Sequence, residues 1–207
     1  MRIGRVILFA LAGVITGGIG GLLLPGFRGY ETRRLGLSAL MHLAVLGALV
    51  ASAGPLVERH WRKLFVAWVT GAVSAILLAL LVLGLAQWGI GGQLTGVLVV
   101  VAAFALYPAA VALADCLADE AYRAILYETT FSALGGVVGF AASWPMLFLR
   151  NNRTRLALAT AIYGGVIWLM MALAKWEEAS EEELEAEELS EEKLEAAGPA
   201  GEEPPSV

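Results

Sequence analysis

Six long apolar runs constrain the fold of this chain more than any other feature of its sequence. A helix rises about 1.5 Å per residue, so about 20 apolar residues cross the hydrocarbon core of a bilayer. Lipid offers the backbone no hydrogen-bond partner, so such runs are typical of spanning helices rather than strands. They cover residues 6–24, 37–56, 64–88, 94–117, 124–149 and 156–176. We therefore predict that residues 1–176 form an all-α, polytopic transmembrane helical bundle with six spans.

Two of the six runs leave an alternative open. The first run follows Arg2 and Arg5, as a secretory signal peptide would. It is longer than the usual apolar region of a signal peptide, and no small-x-small cleavage site follows it, which favours a span. The fifth run contains Glu128 and the pair Trp144-Pro145, which interrupt an apolar helix. A bundle of five spans is therefore the alternative to six.

Charge divides the chain into two unlike regions. Residues 1–174 hold 12 of the 14 Lys and Arg residues but only 6 of the 19 acids, whereas 13 glutamates lie between Glu177 and Glu203. We predict that residues 177–207 are an acidic, solvent-exposed tail. Ser180 and Glu183 match a capping box, which predicts a helix that begins there, continues to about residue 197 and precedes a disordered end. A basic partner, or the chain's own arginine-rich loops, would suit such a tail.

The positive charges that flank the apolar runs bear on the orientation of the chain in the membrane. With six spans both chain ends lie on one side, which carries seven Lys and Arg residues against six on the other. Positive charge favours the cytoplasmic face, but this difference is small. The N-terminal span and the acidic tail favour cytoplasmic termini. Trp61, Trp88 and Trp176 fall at span ends, where indoles prefer the membrane interface. We expect a multi-pass protein of the cell (plasma) membrane, with the lipid bilayer as its first partner.

Ionisable residues within or beside the apolar runs form the candidate ion or proton site. Such residues are costly in a membrane and by default suggest function. Asp115 ends the fourth run and Glu128 begins the fifth, so a tight hairpin brings them to similar depth. Two carboxylates close together in a low-dielectric site suit proton exchange or cation binding. The candidate residues are Asp115, Asp119, Glu120, Glu128, His42 and Tyr107.

Structural roles explain the same residues. Asp119 and Arg123 are four apart and would pair on one helix. Alternatively, the acidic hairpin would pair across the bundle end with the basic loop that holds Arg59, Arg62 and Lys63. His42 would relay protons near neutral pH, or it would hydrogen-bond to a neighbouring helix as a packing residue. The hairpin is therefore either a site or an ion-pair cluster.

Glycines at four-residue spacing predict close helix packing. Gly13, Gly17 and Gly21 share one face of the first span, and Gly135 and Gly139 lie on a second such face in the fifth span. Small residues let two helices approach closely in a membrane. The two faces would pack against each other in the bundle, or they would join subunits in a homo-oligomer or a larger membrane complex.

Signals for several function classes are missing from the sequence. A single cysteine, Cys116, excludes an intrachain disulfide and a zinc site built on paired cysteines. The sequence holds no G-x-x-x-x-G-K-[ST] loop, no H-E-x-x-H helix and no G-x-S-x-G elbow. The positive charges flank the spans, so they form no nucleic-acid footprint. We expect no cofactor, no metal and no nucleic-acid partner.

Three functions remain. The first is a small transporter, channel or membrane subunit, because Pro108 kinks the fourth span and frees a carbonyl near Ala105 or Leu106 that would line a cavity. The second is a non-catalytic structural or assembly component, based on the glycine faces and the tail. The third and least favoured is a lipid-modifying enzyme with metal-binding carboxylates at Asp115, Asp119 and Glu120. Transport predicts ionisable residues that face a polar cavity, whereas assembly predicts ion pairs.

Overall fold

The computed structural model describes residues 2–23, 37–87, 93–119, 121–149 and 151–196. All secondary structure in these ranges is helical, as predicted. The helices are α1 (Arg2–Leu23), α2 (Leu37–Ala51), α3 (Ala53–Glu58), α4 (Trp61–Gln87), α5 (Gln93–Ala118), α6 (Ile125–Ser143) and α7 (Asn152–Ala196), with a 3₁₀ turn over Trp144–Phe148. The candidate Glu120, the interfacial Trp88 and the disordered end predicted after residue 197 lie outside the described ranges.

Among the described residues, five helices are long and apolar enough to cross a membrane, within Ile3–Leu23, Trp61–Val82, Val97–Ala118, Ile125–Met146 and Arg153–Glu177. This confirms a polytopic, all-α fold. The predicted second span is divided, because α2 ends at Ala51 and the short α3 follows a turn at Ser52. Pro55 explains the division, since its ring clashes with the carbonyl four residues earlier and ends the preceding helix. A sixth span stays a prediction.

Helix α1 packs along α7 through the predicted glycine face. Gly13, Gly17 and Gly21 each lie so close to α7 that an added Cβ would overlap its backbone. Gly13 contacts Gly164 and Gly21 contacts Leu156, so residue numbers rise along α1 as they fall along α7. The two helices are therefore antiparallel, and the start of α1 lies beside the end of the buried part of α7.

The second glycine face also contacts α7 rather than α1. Gly135 lies against Met170, and Gly139 lies against Tyr163. The suggestion that the two glycine faces pack against each other is therefore wrong, because α7 lies between them. In the spanning part of α7, 50% of the residues are buried, against 6% in that of α4. Helix α7 is thus the central helix of the bundle, and α4 presents most of its surface to lipid.

Trp168 of α7 joins three other helices. Its side chain is almost fully buried, and its indole N–H donates a hydrogen bond of 2.6 Å to the carbonyl of Val50 in α2. The ring of Phe9 in α1 stacks on it at 6.0 Å between centroids. Gly54 of α3 packs on the indole, where an added Cβ would lie 2.2 Å from a ring carbon. Trp168 therefore fixes α1, α2 and α3 around α7.

Pro108 lies inside α5, and a neighbouring helix donates a hydrogen bond to the carbonyl that it frees. A proline in a helix removes the hydrogen bond to the carbonyl four residues earlier, which is that of Phe104. The hydroxyl of Tyr163 in α7 donates to this carbonyl at 3.0 Å. The prediction of a cavity-lining carbonyl near Ala105 or Leu106 is therefore wrong. A neighbouring helix satisfies the freed group, as the absence of water in lipid requires.

Exposed aromatic side chains mark both ends of the bundle. Trp61, Tyr122 and Trp176 lie at the end that also holds the start of α1. We call this the tail-side end, because α7 leaves the bundle there. Trp144 and Phe148 are exposed at the opposite end. The 22-residue spanning part of α4, Trp61–Val82, is about 33 Å long, close to the hydrocarbon thickness of a bilayer. The two aromatic levels match the two membrane interfaces.

Helix α7 is a single helix of 45 residues. It begins after Asn151, whose side-chain oxygen accepts a hydrogen bond of 3.1 Å from the backbone N–H of Arg153. It does not restart at Ser180, so the capping-box prediction is wrong. Residues 166–197 contain neither glycine nor proline, and nothing in the backbone interrupts a helix there. The 20 residues from Glu177 to Ala196 extend it by about 30 Å. We call them the α7 extension; their division from the bundle as a separate domain stays a prediction.

Candidate functional site

Five charged side chains meet at the tail-side end of the bundle. The Lys63 ammonium lies 3.0 Å from Glu58 and 2.5 Å from Asp119. The Lys175 ammonium lies 3.4 Å from Glu58 and 2.7 Å from Asp115. These five residues are the ion-pair network. They belong to α3, α4, α5 and α7 and to the residue after α5, so the network ties together four helices.

Glu58 is the centre of the network because each of its carboxylate oxygens contacts a different lysine. Oε2 faces Lys63 and Oε1 faces Lys175. The chain turns immediately afterwards at Arg59, which has a left-handed backbone conformation with φ of 58°. That turn ends α3 and starts α4, so Glu58 and Lys63 lie on the two sides of a tight corner. His60 in the same corner is 3.8 Å from Glu58.

Lys175 lies on the buried face of α7. Trp168, Met171 and Ala172 are buried at spacings of three and four residues, and Lys175 continues the same row. In the sequence Lys175 is one of the positive charges that flank the spans. Its position in that apolar row was a signal that the ammonium faces the bundle, where an acidic partner is required.

The two aspartates come from the last turn of α5 and the residue that follows it. Asp115 has a side chain only 10% exposed, while Asp119 is more accessible. The predicted pair of Asp119 with Arg123 is wrong, because α5 ends at Ala118 and residues 122–124 form a turn. Asp119 contacts Lys63 instead. The alternative of pairing with the basic loop is therefore correct for Lys63.

Glu128 lies behind the network, in the first turn of α6. It is 4% exposed, and its carboxylate is close to the thiol of Cys116 and within electrostatic range of Lys175. The hairpin between α5 and α6 therefore brings Asp115 and Glu128, which the sequence predicts to lie at similar depth, within electrostatic range of the same lysine. Four carboxylates surround two ammonium groups.

His42 and Tyr107 lie away from this end of the bundle. The hydroxyl of Tyr107 donates a hydrogen bond of 2.6 Å to the carbonyl of Gly47, which joins α5 to α2. His42 lies 16 residues before Glu58 along α2 and α3, or about 24 Å along a helix axis. The structure therefore does not combine either residue with the carboxylates, and Tyr107 packs two helices together.

The network also marks the point where α7 leaves the bundle. Lys175 contacts α3 and α5, and two residues later Glu177 accepts a hydrogen bond from the hydroxyl of Tyr127 in α6. Three neighbouring helices thus contact α7 within its last membrane turn. The arrangement neutralises buried charge and fixes the direction in which the α7 extension begins.

A shallow cleft with an accessible volume of about 10 Å³, about the size of a single water molecule, lies between α4 and α5 beside the network. Its walls are mainly small and apolar, with Ala67 and Thr70 on α4 and Ala114 and Val111 on α5. Lys63 and Asp115 line its tail-side end. The cleft is therefore apolar inside and charged at the level of the aromatic side chains. The residues that line the cleft are mainly apolar, whereas the transport hypothesis predicts a polar lining.

The carboxylates of the described residues do not form a metal site. Within the ranges that the structure describes, no group of three or more His, Cys, Asp or Glu side chains converges as metal ligands. The predicted lipid enzyme with a metal on its carboxylates therefore gains no support from these residues, and Glu120 lies outside them. Comparison of the chain with protein-family models, with curated proteins and with solved structures finds no match.

Proposed function

We propose that this protein is a non-catalytic assembly component of a membrane complex, and that the α7 extension is its docking element. The observation that carries the proposal is the continuity of α7. One helix is both the most buried element of the bundle and the acidic segment that leaves it. A flexible linker would let the acidic segment move independently of the bundle. A continuous helix instead holds a bound partner at a fixed position relative to the membrane.

Contacts at the start of the extension support this role. Lys175 is held by Glu58 and Asp115, and Glu177 is held by Tyr127. These contacts lie on different sides of α7, so they oppose tilting of the helix as it leaves the bundle. Anchoring of this kind serves a docking element that must present its surface in one orientation.

Charge identifies the partner's chemistry. Residues 177–196 contain 11 glutamates and one lysine. This field attracts a surface rich in Lys and Arg and accelerates its association. Anionic lipids repel the same segment, which favours a protein partner over the membrane surface. We place the protein in the cell membrane with both ends in the cytoplasm, where the acidic segment meets cytosolic partners.

Transport is the competing function, and the ion pairs weigh against it. A transport site needs ionisable groups that exchange with a solute or a proton. Asp115 and Asp119 are each in contact with a lysine ammonium, which is the arrangement expected of an assembly component. The glycine faces are used inside the chain, against α7, and are therefore not available to join subunits. We propose that the complex forms through the α7 extension instead.

Purification from the native membrane in a mild detergent tests the assembly role. We expect a stoichiometric basic protein to co-purify with the full-length chain and to dissociate as salt is raised, because exposed charges are screened. A variant with Glu181, Glu182, Glu185 and Glu188 changed to Gln should lose the partner, whereas Leu189→Ala should retain it.

Two results would contradict the proposal. One is a full-length protein that purifies alone at low salt. The other is a partner that remains bound to the glutamine variant, which would mean that another surface carries the interaction. Ion or proton flux through vesicles that contain the purified protein, lost on Asp115→Asn, would favour transport.

A further inference from the structure

Two arginines lie at the corner between α3 and α4, on the surface of the tail-side end. Residues 59–62 read Arg-His-Trp-Arg, and all four are exposed. We call them the arginine corner. No carboxylate of the described residues forms an ion pair with Arg59 or Arg62, and Glu58, which precedes the corner, has both carboxylate oxygens on lysines. The charge of the two guanidinium groups is therefore not neutralised within the described part of the chain.

The backbone of the corner favours a different residue at its first position. Arg59 has a φ of 58° and is the one non-glycine residue of the described ranges with a positive φ. Glycine adopts this left-handed conformation freely and is the usual residue just after a helix, whereas any side chain is disfavoured there. The turn itself therefore does not account for an arginine at this position, which leaves a role for its side chain.

Trp61 places the corner at the level of the lipid headgroups. Its indole is 77% exposed at the first residue of the spanning part of α4, and exposed indoles prefer the membrane interface. Phe65 and Trp68 are exposed one and two turns deeper on the same helix, where they face the acyl chains. Arg59 and Arg62 lie within two residues of Trp61, so their side chains reach the phosphate level. Guanidinium groups bind phosphate through paired hydrogen bonds.

Charge around the corner favours a lipid over a soluble acidic partner. Glu58 contacts Lys175, so the corner lies beside the foot of the α7 extension. An acidic protein or a nucleic acid that comes from the water meets residues 177–196, which contain 11 glutamates and one lysine and repel it. A lipid instead reaches the corner from the side, within the membrane. Most of the 30 Å extension lies beyond the screening length of about 8 Å from the headgroups.

We propose that the arginine corner binds the headgroup of an anionic phospholipid, as in phosphatidylglycerol. The guanidinium groups of Arg59 and Arg62 donate hydrogen bonds to the phosphate oxygens, and the indole of Trp61 lies beside the same lipid at the interface. A choline lipid carries a cation next to its phosphate, which the two arginines repel, so the corner prefers the anionic lipid. Anionic lipids are concentrated in the cytoplasmic leaflet, which agrees with the cytoplasmic placement proposed above. This inference does not rest on the docking role of the α7 extension.

Quenching of Trp61 by brominated lipids measures the lipid composition at the corner. The full-length protein keeps Trp61 and the buried Trp168, has phenylalanine at the other four tryptophan positions, and is placed in vesicles of phosphatidylcholine and phosphatidylglycerol. At one total composition, the acyl chains of either lipid carry the bromine. The ratio of phosphatidylglycerol to phosphatidylcholine beside Trp61 should exceed the bulk ratio about fivefold. Equal ratios would overturn the proposal. Native mass spectrometry of the protein with all its tryptophans, with both lipids added, repeats the comparison without these substitutions.

Substitutions of single arginines assign the preference to the corner. Arg62→Gln should bring the local ratio close to the bulk ratio, while Arg153→Gln, the same change at the opposite end of the bundle, should leave it unchanged. Arg59→Gly suits the left-handed backbone, so it should lower the ratio without lowering the stability of the protein. A loss of stability in Arg59→Gly would show that this arginine serves the turn, against the proposal. An equal effect of Arg123→Gln, which changes an exposed arginine of the α5–α6 hairpin, would mean that the whole tail-side end attracts anionic lipid and would refute a site at the corner.

Discussion

The α1–α7 contact gives the sharpest test of the fold, because two adjacent glycines have opposite surroundings. An added Cβ at Gly17 would lie 2.2 Å from the carbonyl oxygen of Thr160, which belongs to the backbone of α7. An added Cβ at Gly18 would lie 3.6 Å from the Cβ of Ala161, an ordinary van der Waals distance. Gly17→Ala and Gly18→Ala are therefore the same chemical change with different structural consequences.

The expected magnitude follows from the displacement. To relieve the Gly17→Ala overlap, α1 must move about 1 Å from α7, and a gap of that size forfeits up to about half of each dispersion contact along the seam. Overpacking of this kind typically costs about 1–3 kcal/mol. Alanine has a higher helix propensity than glycine, but this gain in stability is common to both variants and cancels when they are compared. We expect Gly17→Ala to be about 2 kcal/mol less stable than Gly18→Ala.

Reversible unfolding in mixed micelles measures this difference. Increasing the mole fraction of a denaturing detergent unfolds the bundle, and tryptophan fluorescence, in variants that keep Trp168 as the single tryptophan, reports the loss of packing at this interface. The difference in free energy of unfolding between the two variants is the result of interest. If Gly17→Ala and Gly18→Ala unfold together, α1 and α7 are not in backbone contact at this seam, and the antiparallel packing described here is wrong.

Two further substitutions test the polar contacts in the same assay. Lys175→Met leaves Asp115 without an ammonium, while Glu58 keeps its contact with Lys63. Because the network is only partly buried, we expect a loss of about 2 kcal/mol, below the full cost for a buried pair, whereas Lys193→Met in the α7 extension should have no effect. Tyr163→Phe removes the donor to the Phe104 carbonyl and should cost about 1 kcal/mol. That cost should vanish in a Pro108→Ala background, where the helix supplies its own donor, and a cost that persists there would contradict the assignment.

The spans were predictable from sequence, but their partners were not. Hydropathy depends on consecutive residues, so five of the six predicted runs agree with apolar helices of spanning length. The hairpin between α5 and α6 is also local, which is why Asp115 and Glu128 were correctly placed near each other. Lys175 is 60 residues from Asp115 and 117 from Glu58, so its partners depend on which helices adjoin α7. Nothing in the local sequence gives that arrangement.

The errors in the sequence predictions arise from contacts between helices. Pro108 correctly indicated a freed carbonyl. Which carbonyl is freed, and that Tyr163 donates a hydrogen bond to it, depend on the geometry of the helices. The capping box at Ser180 is a valid local signal for a helix start. It had no effect because α7 already supplied helical hydrogen bonds from the preceding residues.

The position of α7 has a consequence for biosynthesis. Among the described helices, α1 is synthesised before all the others, and α7, which covers its glycine face, is synthesised after them. At roughly 5–20 residues per second, the intervening chain takes on the order of ten to thirty seconds to synthesise. During that interval the Lys175 ammonium of α7, which contacts Glu58 and Asp115 in the folded bundle, has not yet been synthesised. The bundle therefore closes only after α7 has been synthesised, and a nascent chain that stalls before residue 168 lacks the indole that joins α1, α2 and α3.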